Sequence, residues 1–416
     1  MSTTSDTFFS SRWVERPAQV RELAGGLPRG FRAAGAACGI KPSGAADLGL
    51  LVCDAEDAVS AARFTRSGVL AAPVVVTRER CDVTRLRAVV ANAGNANAAT
   101  GVDGIEAATA TQAAASRLLG LPPDAIGLGS TGVIGVQLPV DRIVTGLEQL
   151  AGALRADGDA DFAEAIRTTD RSVKKCSLLV TLPSGEVRIS IQAKGAGMIQ
   201  PNHATMLCFV QTDAVMDAET ADLLLSVTVK RGFDRITVDG QLSTNDTVIL
   251  IASGASGVRI EAESEDELLL GEALDAALRQ LALMMVADGE GADRVGRVVV
   301  TGGDDRQVEA AARAVANSSL VKTALNGGDP NWGRIAQAVG GALLDSAPLP
   351  LDIAIEGIQV CAAGAALRYD ERALNEAVKR AEVEYLVALP GEGSETEVFF
   401  SDLGHGYVTV NAEYTT

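Results

Sequence analysis

The residues best suited to chemistry lie near the middle of the chain, in the run Lys194-Gly-Ala-Gly-Met-Ile-Gln-Pro-Asn-His-Ala-Thr-Met-Leu207. Glycines, a proline and an asparagine lead there into an apolar strand expected over 206–211. Taken alone, Thr205 is an ordinary β-branched residue at a strand start, and Lys194-Gly-Ala-Gly is an ordinary turn. A phosphate-binding loop is excluded, because no Gly-Lys-Ser/Thr follows the glycines. A sharper reading makes Thr205 an N-terminal nucleophile, released by self-cleavage of the Ala204–Thr205 bond. A threonine hydroxyl needs a base, and the α-amino group of a newly made terminus is one. That amine ionises at about 7.7–8.0, so part of it is unprotonated near neutrality, unlike a free lysine at about 10.4. Small Ala204 and the Gly/Pro/Asn-rich loop let the hydroxyl reach the preceding carbonyl. On this reading Lys194 adds positive charge that steers a carboxylate; otherwise it is a solvated loop lysine.

The rest of the composition removes the usual competitors. The chain has 416 residues and two histidines, His203 and His405, too few for a Ser-His-Asp triad or a histidine metal site. Its six cysteines are scattered singly and never form CxxC, so neither a disulfide framework nor a zinc site is expected. Reduced thiols point to the cytoplasm. Asp plus Glu number 54 against 36 Lys plus Arg, a formal net charge of -18. Such a charge opposes non-specific binding to nucleic acid or an anionic membrane. The first 28 residues lack the continuous apolar core of a secretory signal, and no stretch reaches the roughly 20 apolar residues that span a bilayer.

These residues must be held by regular elements. The length fits two or three domains. Abundant Ala, Val and Gly with 4% aromatic residues favour closely packed layers of an α/β protein. Strands are expected at 48–52, 74–76, 88–90, 187–191 and 247–251, and helices at 104–119, 141–154, 217–231, 306–316 and 371–384. The clearest helix begins at Ser264, where Ser-Glu-Asp-Glu is a capping box and Leu270, Leu274, Leu278, Leu281 and Met285 fall on one face. Residues 1–28 read as a mobile N-terminal extension.

The central run is one of several segments through which the chain resembles the glutamate N-acetyltransferase / ornithine acetyltransferase family of arginine biosynthesis. The others are Gly30-Phe-Arg-Ala-Ala-Gly35, Ala91-Asn-Ala-Gly-Asn-Ala-Asn97, Ser130-Thr-Gly-Val-Ile-Gly135, Ser243-Thr-Asn-Asp-Thr247, Asp288-Gly-Glu-Gly-Ala292, Asp329-Pro-Asn-Trp-Gly-Arg334 and Asn411-Ala-Glu-Tyr-Thr-Thr416. The resemblance runs from about Gly30 to Thr416. It implies two mixed α/β sandwich-like lobes and a self-processing, N-terminal-nucleophile-type enzyme, cut between Ala204 and Thr205. The pieces are an α chain whose lobe is 29–204, behind the 1–28 extension, and a β chain, 205–416, that stay associated as (αβ)2, a heterotetramer, or a higher oligomer. Acetyl passes from N-acetylornithine to Thr205 and then to glutamate, with no cofactor or metal required.

The same resemblance assigns roles residue by residue. Thr131 and Gly132 match the oxyanion hole, and Glu290 an acidic residue at the substrate's amino end. Thr168, with Thr169 as near-equal candidate, matches a substrate-contacting threonine, and Asn411 and Thr416 match terminal residues that reach back to the substrate. Lys194, by its charge and not by the resemblance, is the expected carboxylate partner. The asparagine-rich run 91–97 is either a side-chain-bonded turn or a loop at the active site, and Ser243–Thr247 and Asp329–Arg334 are expected to brace the fold. Three positions depart from the family pattern: His203 stands for methionine, Gln241 for aspartate, and Asp293-Arg294 for a small-polar/Lys pair. They leave open a paralogue acting on another N-acyl amino acid. A threonine amidase or aminopeptidase shares the same nucleophile logic. An acetyl-CoA-dependent acetyltransferase is represented only by Arg32-Ala-Ala-Gly-Ala-Ala37, a cheap match in an Ala/Gly-rich chain, although some members of the resembled family also accept acetyl-CoA as donor. The last rival is an unprocessed binding protein.

Overall fold

The computed structural model describes residues 7–200 and 206–413. Among the described residues the strands form three sheets. The first runs, in spatial order, β1 (Val20–Glu22), β7 (Lys174–Leu182), β8 (Gly185–Lys194), β9 (Leu207–Thr212), β11 (Thr247–Ala252) and β4 (Val59–Phe64). The second runs β2 (Phe31–Ala36), β3 (Leu48–Cys53), β5 (Ala88–Asn95) and β6 (Ile126–Val133). The two sheets stack face to face, and the side-chain period of two explains why. Leu207 and Phe209 on β9, with Ile249 and Ile251 on β11, meet Leu51, Cys53, Val89 and Ala91 of the second sheet. The intervening residues Cys208, Val210, Val248 and Leu250 point away, onto helices Ala218–Arg231 and Glu265–Ala287. On the far side Leu50, Val52, Val90 and Leu128 pack against helices Ala72–Arg80, Gly101–Leu119 and Val140–Ala153. The result is four layers: helices, sheet, sheet, helices.

A second lobe follows. Its sheet runs β10 (Ile236–Thr237), β17 (Glu395–Ser401), β12 (Val295–Thr301), β16 (Glu382–Ala388), β13 (Asp352–Ile355), β14 (Ile358–Ala362) and β15 (Ala365–Ala366). Helices Asp305–Asn317 and Trp332–Ala342 cover one face through Val308, Val315 and Val339. The other face meets the first lobe, where the Phe399 ring lies 5.5 Å from Trp13 and 5.1 Å from the Arg279 guanidinium.

Several expectations need correcting. Residues 74–76 belong to a helix, not a strand: Pro73 sits in its first turn, where a missing N–H costs nothing. Three valines carry no periodicity able to distinguish the two. The helix expected over 371–384 ends at Ala377, and alternation of Val383, Tyr385 and Val387 makes β16. The extension is docked over its described part. β1 pairs with β7, Val14 and Val20 are buried, and the Ser11 N–H donates to Gln280. The lobes also do not divide at position 205. β9 is flanked by β8 and β11 within one sheet, so the first lobe continues through helix Glu265–Ala287.

Phe162 is fully buried between the stacked sheets, edge-on to Phe209 at 5.4 Å. Phe162→Ala should therefore cost about 3–5 kcal/mol, read as a lowered urea midpoint. A change under 1 kcal/mol would show that the two sheets do not depend on this ring.

Candidate active site

The described residues singled out from sequence line one cavity of about 230 Å³: Thr131, Gly132, Thr168, Thr169, Lys194, Glu290 and Asn411. They come from five separate places in the chain. Ala204, Thr205, Thr416 and the variant His203 lie outside the described residues. β9 begins at Leu207, with Met206 fixed just before it: Thr247 N–H donates to the Met206 carbonyl at 3.0 Å.

Thr131 and Gly132 lie just before the end of β6, where its register against β5 slips at Gly94/Asn95. Gly132 has φ +129°, and a Cβ there would lie 2.4 Å from the Gly94 carbonyl carbon, so no larger residue fits. The asparagine run is structural support with one foot in the site. Asn92 and Asn95 bond backbone carbonyls, Asn97 bonds Gly104 O, and Ala96 reaches the cavity. Asn245 ties that loop to β6, donating to Ala96 O at 2.6 Å and Ser130 O at 2.9 Å.

Lys194 is not a solvated loop lysine. It is the buried last residue of β8, and its Nζ donates to Thr131 Oγ1 at 3.0 Å. Because the ammonium fills a lone pair of that oxygen, the threonine's own hydrogen is left to donate elsewhere. Burial pulls the Lys194 amine down, with Asp170 opposing. For Asp170 the balance falls the other way: burial disfavours its charge, but Lys194 and Lys174 hold its carboxyl down at about 2.

Asp170 joins a chain of buried charges. Lys174 Nζ donates to Asp170 at 2.7 Å and to Asp288 at 2.5 Å. Asp288 also receives the Arg171 guanidinium at 3.0 Å, and Asp170 receives Gly195 N–H at 2.7 Å. The turn carrying Thr168 and Thr169 is thereby bolted to the corner carrying Glu290. There Thr169 Oγ1 donates to Glu290 Oε1 at 2.7 Å and Asn411 Nδ2 to Oε2 at 2.9 Å. Asn411 arrives on helix His405–Glu413, seated backbone to backbone: a Cβ on Gly291 (φ +68°) would meet Tyr407 N at 2.1 Å.

Sequence reasoning missed Asp170, Asp239 and Tyr407. Asp239 and Tyr407 line the cavity, and burial raises both, the tyrosine to about 12. Only Asp170, adjacent to Thr168-Thr169, offered a hint. Of the departures from the family pattern, Gln241 faces the cavity. Asp293 and Arg294 instead give their backbone N–H groups to Asp402. Asp329–Arg334 opens a helix of the second lobe. Among the described residues no group of three or more His, Cys, Asp or Glu is placed to hold a metal, and no helix is long and apolar enough to cross a membrane.

The sequence model described as the ArgJ family matches residues 32–416. The chain belongs to the ArgJ family. It is 42% identical over 402 residues to the arginine biosynthesis bifunctional protein ArgJ of Symbiobacterium thermophilum, covering 95% of this chain and 99% of that protein. The ArgJ protein of Rhodopirellula baltica is 43% identical over 398 residues, covering 94% and 96%. Among solved structures, ornithine acetyltransferase from Mycobacterium tuberculosis, complexed with ornithine, is 35% identical, covering 45% of this chain and 100% of that one, with a TM-score of 0.41. The chain is a mixed α/β enzyme of that family, with its cavity where β6 and β8 end.

Because the Asp170 carboxyl is held below its ordinary value of 3.8, its stabilising contribution is complete above about pH 4 and lost as pH falls toward about 2. The urea midpoint should fall across that window as the unfolding free energy loses about 2 kcal/mol from this group. A midpoint unchanged between pH 5 and pH 2 would contradict the assignment.

Proposed function

We propose that this chain is an acyltransferase that moves acetyl from N-acetylornithine to glutamate through an acetyl-Thr205 intermediate. The observation carrying the proposal is the convergence of Thr131, Gly132, Lys194 and Glu290 on one small cavity, beside the strand that Thr205 precedes. A volume of about 230 Å³ is below the ~300–1,000 Å³ of drug-sized sites and suits a small polar metabolite.

The chain first cuts itself between Ala204 and Thr205, leaving α and β chains in one fold. The Thr205 hydroxyl then attacks the acetyl carbonyl while the terminal amine takes its proton. Charge moves onto the carbonyl oxygen, which the Thr131 hydroxyl and Gly132 N–H receive. Donors of this kind are each worth about 2.7–4 kcal/mol in the transition state. Lys194 keeps the Thr131 hydrogen pointed outward and strengthens it as a donor. Collapse breaks the C–N bond, and the terminal ammonium returns the proton to the departing amine of ornithine. Glutamate's amine attacks the resulting ester, and the same steps in reverse release N-acetylglutamate and free Thr205. Glu290, held by Thr169 and Asn411, binds the substrate's cationic end, and Thr168 and Thr416 complete the contacts. Assembly as (αβ)2 or larger and a cytoplasmic location complete the reading.

Mass spectrometry after incubation with N-acetylornithine should show one added acetyl group, confined to the chain beginning at Thr205. Thr205→Ala should stay full length and inactive on a denaturing gel; normal cutting of that variant would sink self-cleavage. Glu290→Gln should lower kcat/KM about 10–100-fold, chiefly through KM, as expected when a charged hydrogen-bonded partner is neutralised. An unchanged KM would remove Glu290 from substrate binding.

A further inference from the structure

Two aspartates grip the chain on either side of the proposed cleavage point, and neither has an assigned part in it. On the upstream side, Asp239 Oδ2 accepts the Met198 N–H at 2.6 Å. Its Oδ1 accepts the Ile199 N–H at 3.0 Å and the Gln241 N–H at 3.1 Å. Val238 N–H closes the same joint by donating to Ile199 O at 2.9 Å. Ile199 is fully buried, and Met198 is held at φ +55°, a conformation that non-glycine residues avoid unless their surroundings impose it. On the downstream side, Asp246 Oδ1 accepts the Met206 N–H at 3.0 Å. Asp246 is itself buried, its Oδ2 takes no backbone N–H among the described residues, and the Ser243 and Thr65 side chains stand beside the carboxyl.

We propose that Asp239 and Asp246 are positioning residues for self-cleavage, fixing through backbone N–H groups the two ends of the segment that carries the Ala204–Thr205 bond. An intramolecular attack gains its rate from the small volume its partners can explore. Clamping Ile199 and Met206 confines that volume without placing any side chain on the reacting atoms. The grip resides in acceptor oxygens, which makes the two sites unequal. Both oxygens of Asp239 are committed, so an amide there must turn its NH2 toward a backbone N–H. Asp246 grips the backbone through one oxygen only, so an amide keeps that bond and turns its NH2 toward the Ser243 and Thr65 side-chain oxygens.

The inference rests on self-cleavage, so the experiment separates the two. Full-length chains are made by cell-free synthesis, translation is stopped, and appearance of the two pieces is followed on denaturing gels. Wild-type chain that never divides at 204/205 overturns the proposed function itself. Given a dividing wild type, Asp246→Asn should process within threefold of it, Asp239→Asn should slow at least tenfold, and Asp246→Leu at least thirtyfold. Each substitution is also melted in the Thr205→Ala background, where no chain is cut. There the two asparagine variants should match each other within a few degrees, so that lost processing is not lost folding. If Asp246→Leu fails to fold, the contrast between the asparagine variants still decides. Equal rates for those two, or Asp246→Asn as slow as Asp246→Leu, would overturn the positioning role.

Discussion

The Lys174 ammonium is wholly enclosed, and the carboxylates of Asp170 and Asp288 make that tolerable. Removing one partner of such a group leaves a buried charge uncompensated, typically costing about 3–5 kcal/mol. The consequence here is geometric more than energetic. Asp170 belongs to the turn that bears Thr168 and Thr169, Lys174 opens β7, and Asp288 ends the longest helix of the first lobe. None of the three can shift without disturbing the other two, so cavity walls from distant parts of the chain are set to one another by a single ionic joint. Lys194 belongs to the same field through Asp170.

Layering explains why the cavity lies where it does. β6 of one sheet and β8 of the other both end at it, bringing Thr131 and Lys194 within hydrogen-bond distance across the sandwich. Small residues make that approach feasible. Gly132 leaves no room for a side chain against Gly94, and Gly197 leaves none against the Glu290 carboxylate, whose carbon is 2.5 Å from where a Cβ would stand. The glycine and alanine content that first indicated close-packed layers is spent, in part, on bringing backbone up to the site.

Much of this was legible in the sequence, for identifiable reasons. Helix Glu265–Ala287 was readable because its cap and apolar face are local; Ser264 does accept the Glu267 N–H. The strands at 187–191, 206–211 and 247–251 were readable because short apolar runs are bounded by turn residues. The valines at 74–76 were not, since a three-residue run carries no period. Motifs led to residues that line the cavity, yet they gave no means of seeing that Lys194 is buried or that Asp239 lines it too. Those facts arise from pairings more than forty residues apart, such as Lys194 with Thr131 and Asp239 with Met198. Nor does composition tell where one lobe ends: the sheet that crosses position 205 is fixed by the register of Lys194 opposite Leu207.

That register has a thermodynamic corollary. β8 and β9 are antiparallel neighbours, joined from Ile189–Thr212 to Lys194–Leu207, and share the core beneath helices Ala218–Arg231 and Glu265–Ala287. The cut proposed between them would leave these pairings in place, yet it would turn unfolding into dissociation. Mass action then enters: the folded state of a divided chain is favoured by concentration, whereas that of the intact chain is indifferent to it. Dilution, harmless to an intact chain, would act as a denaturant on a divided one.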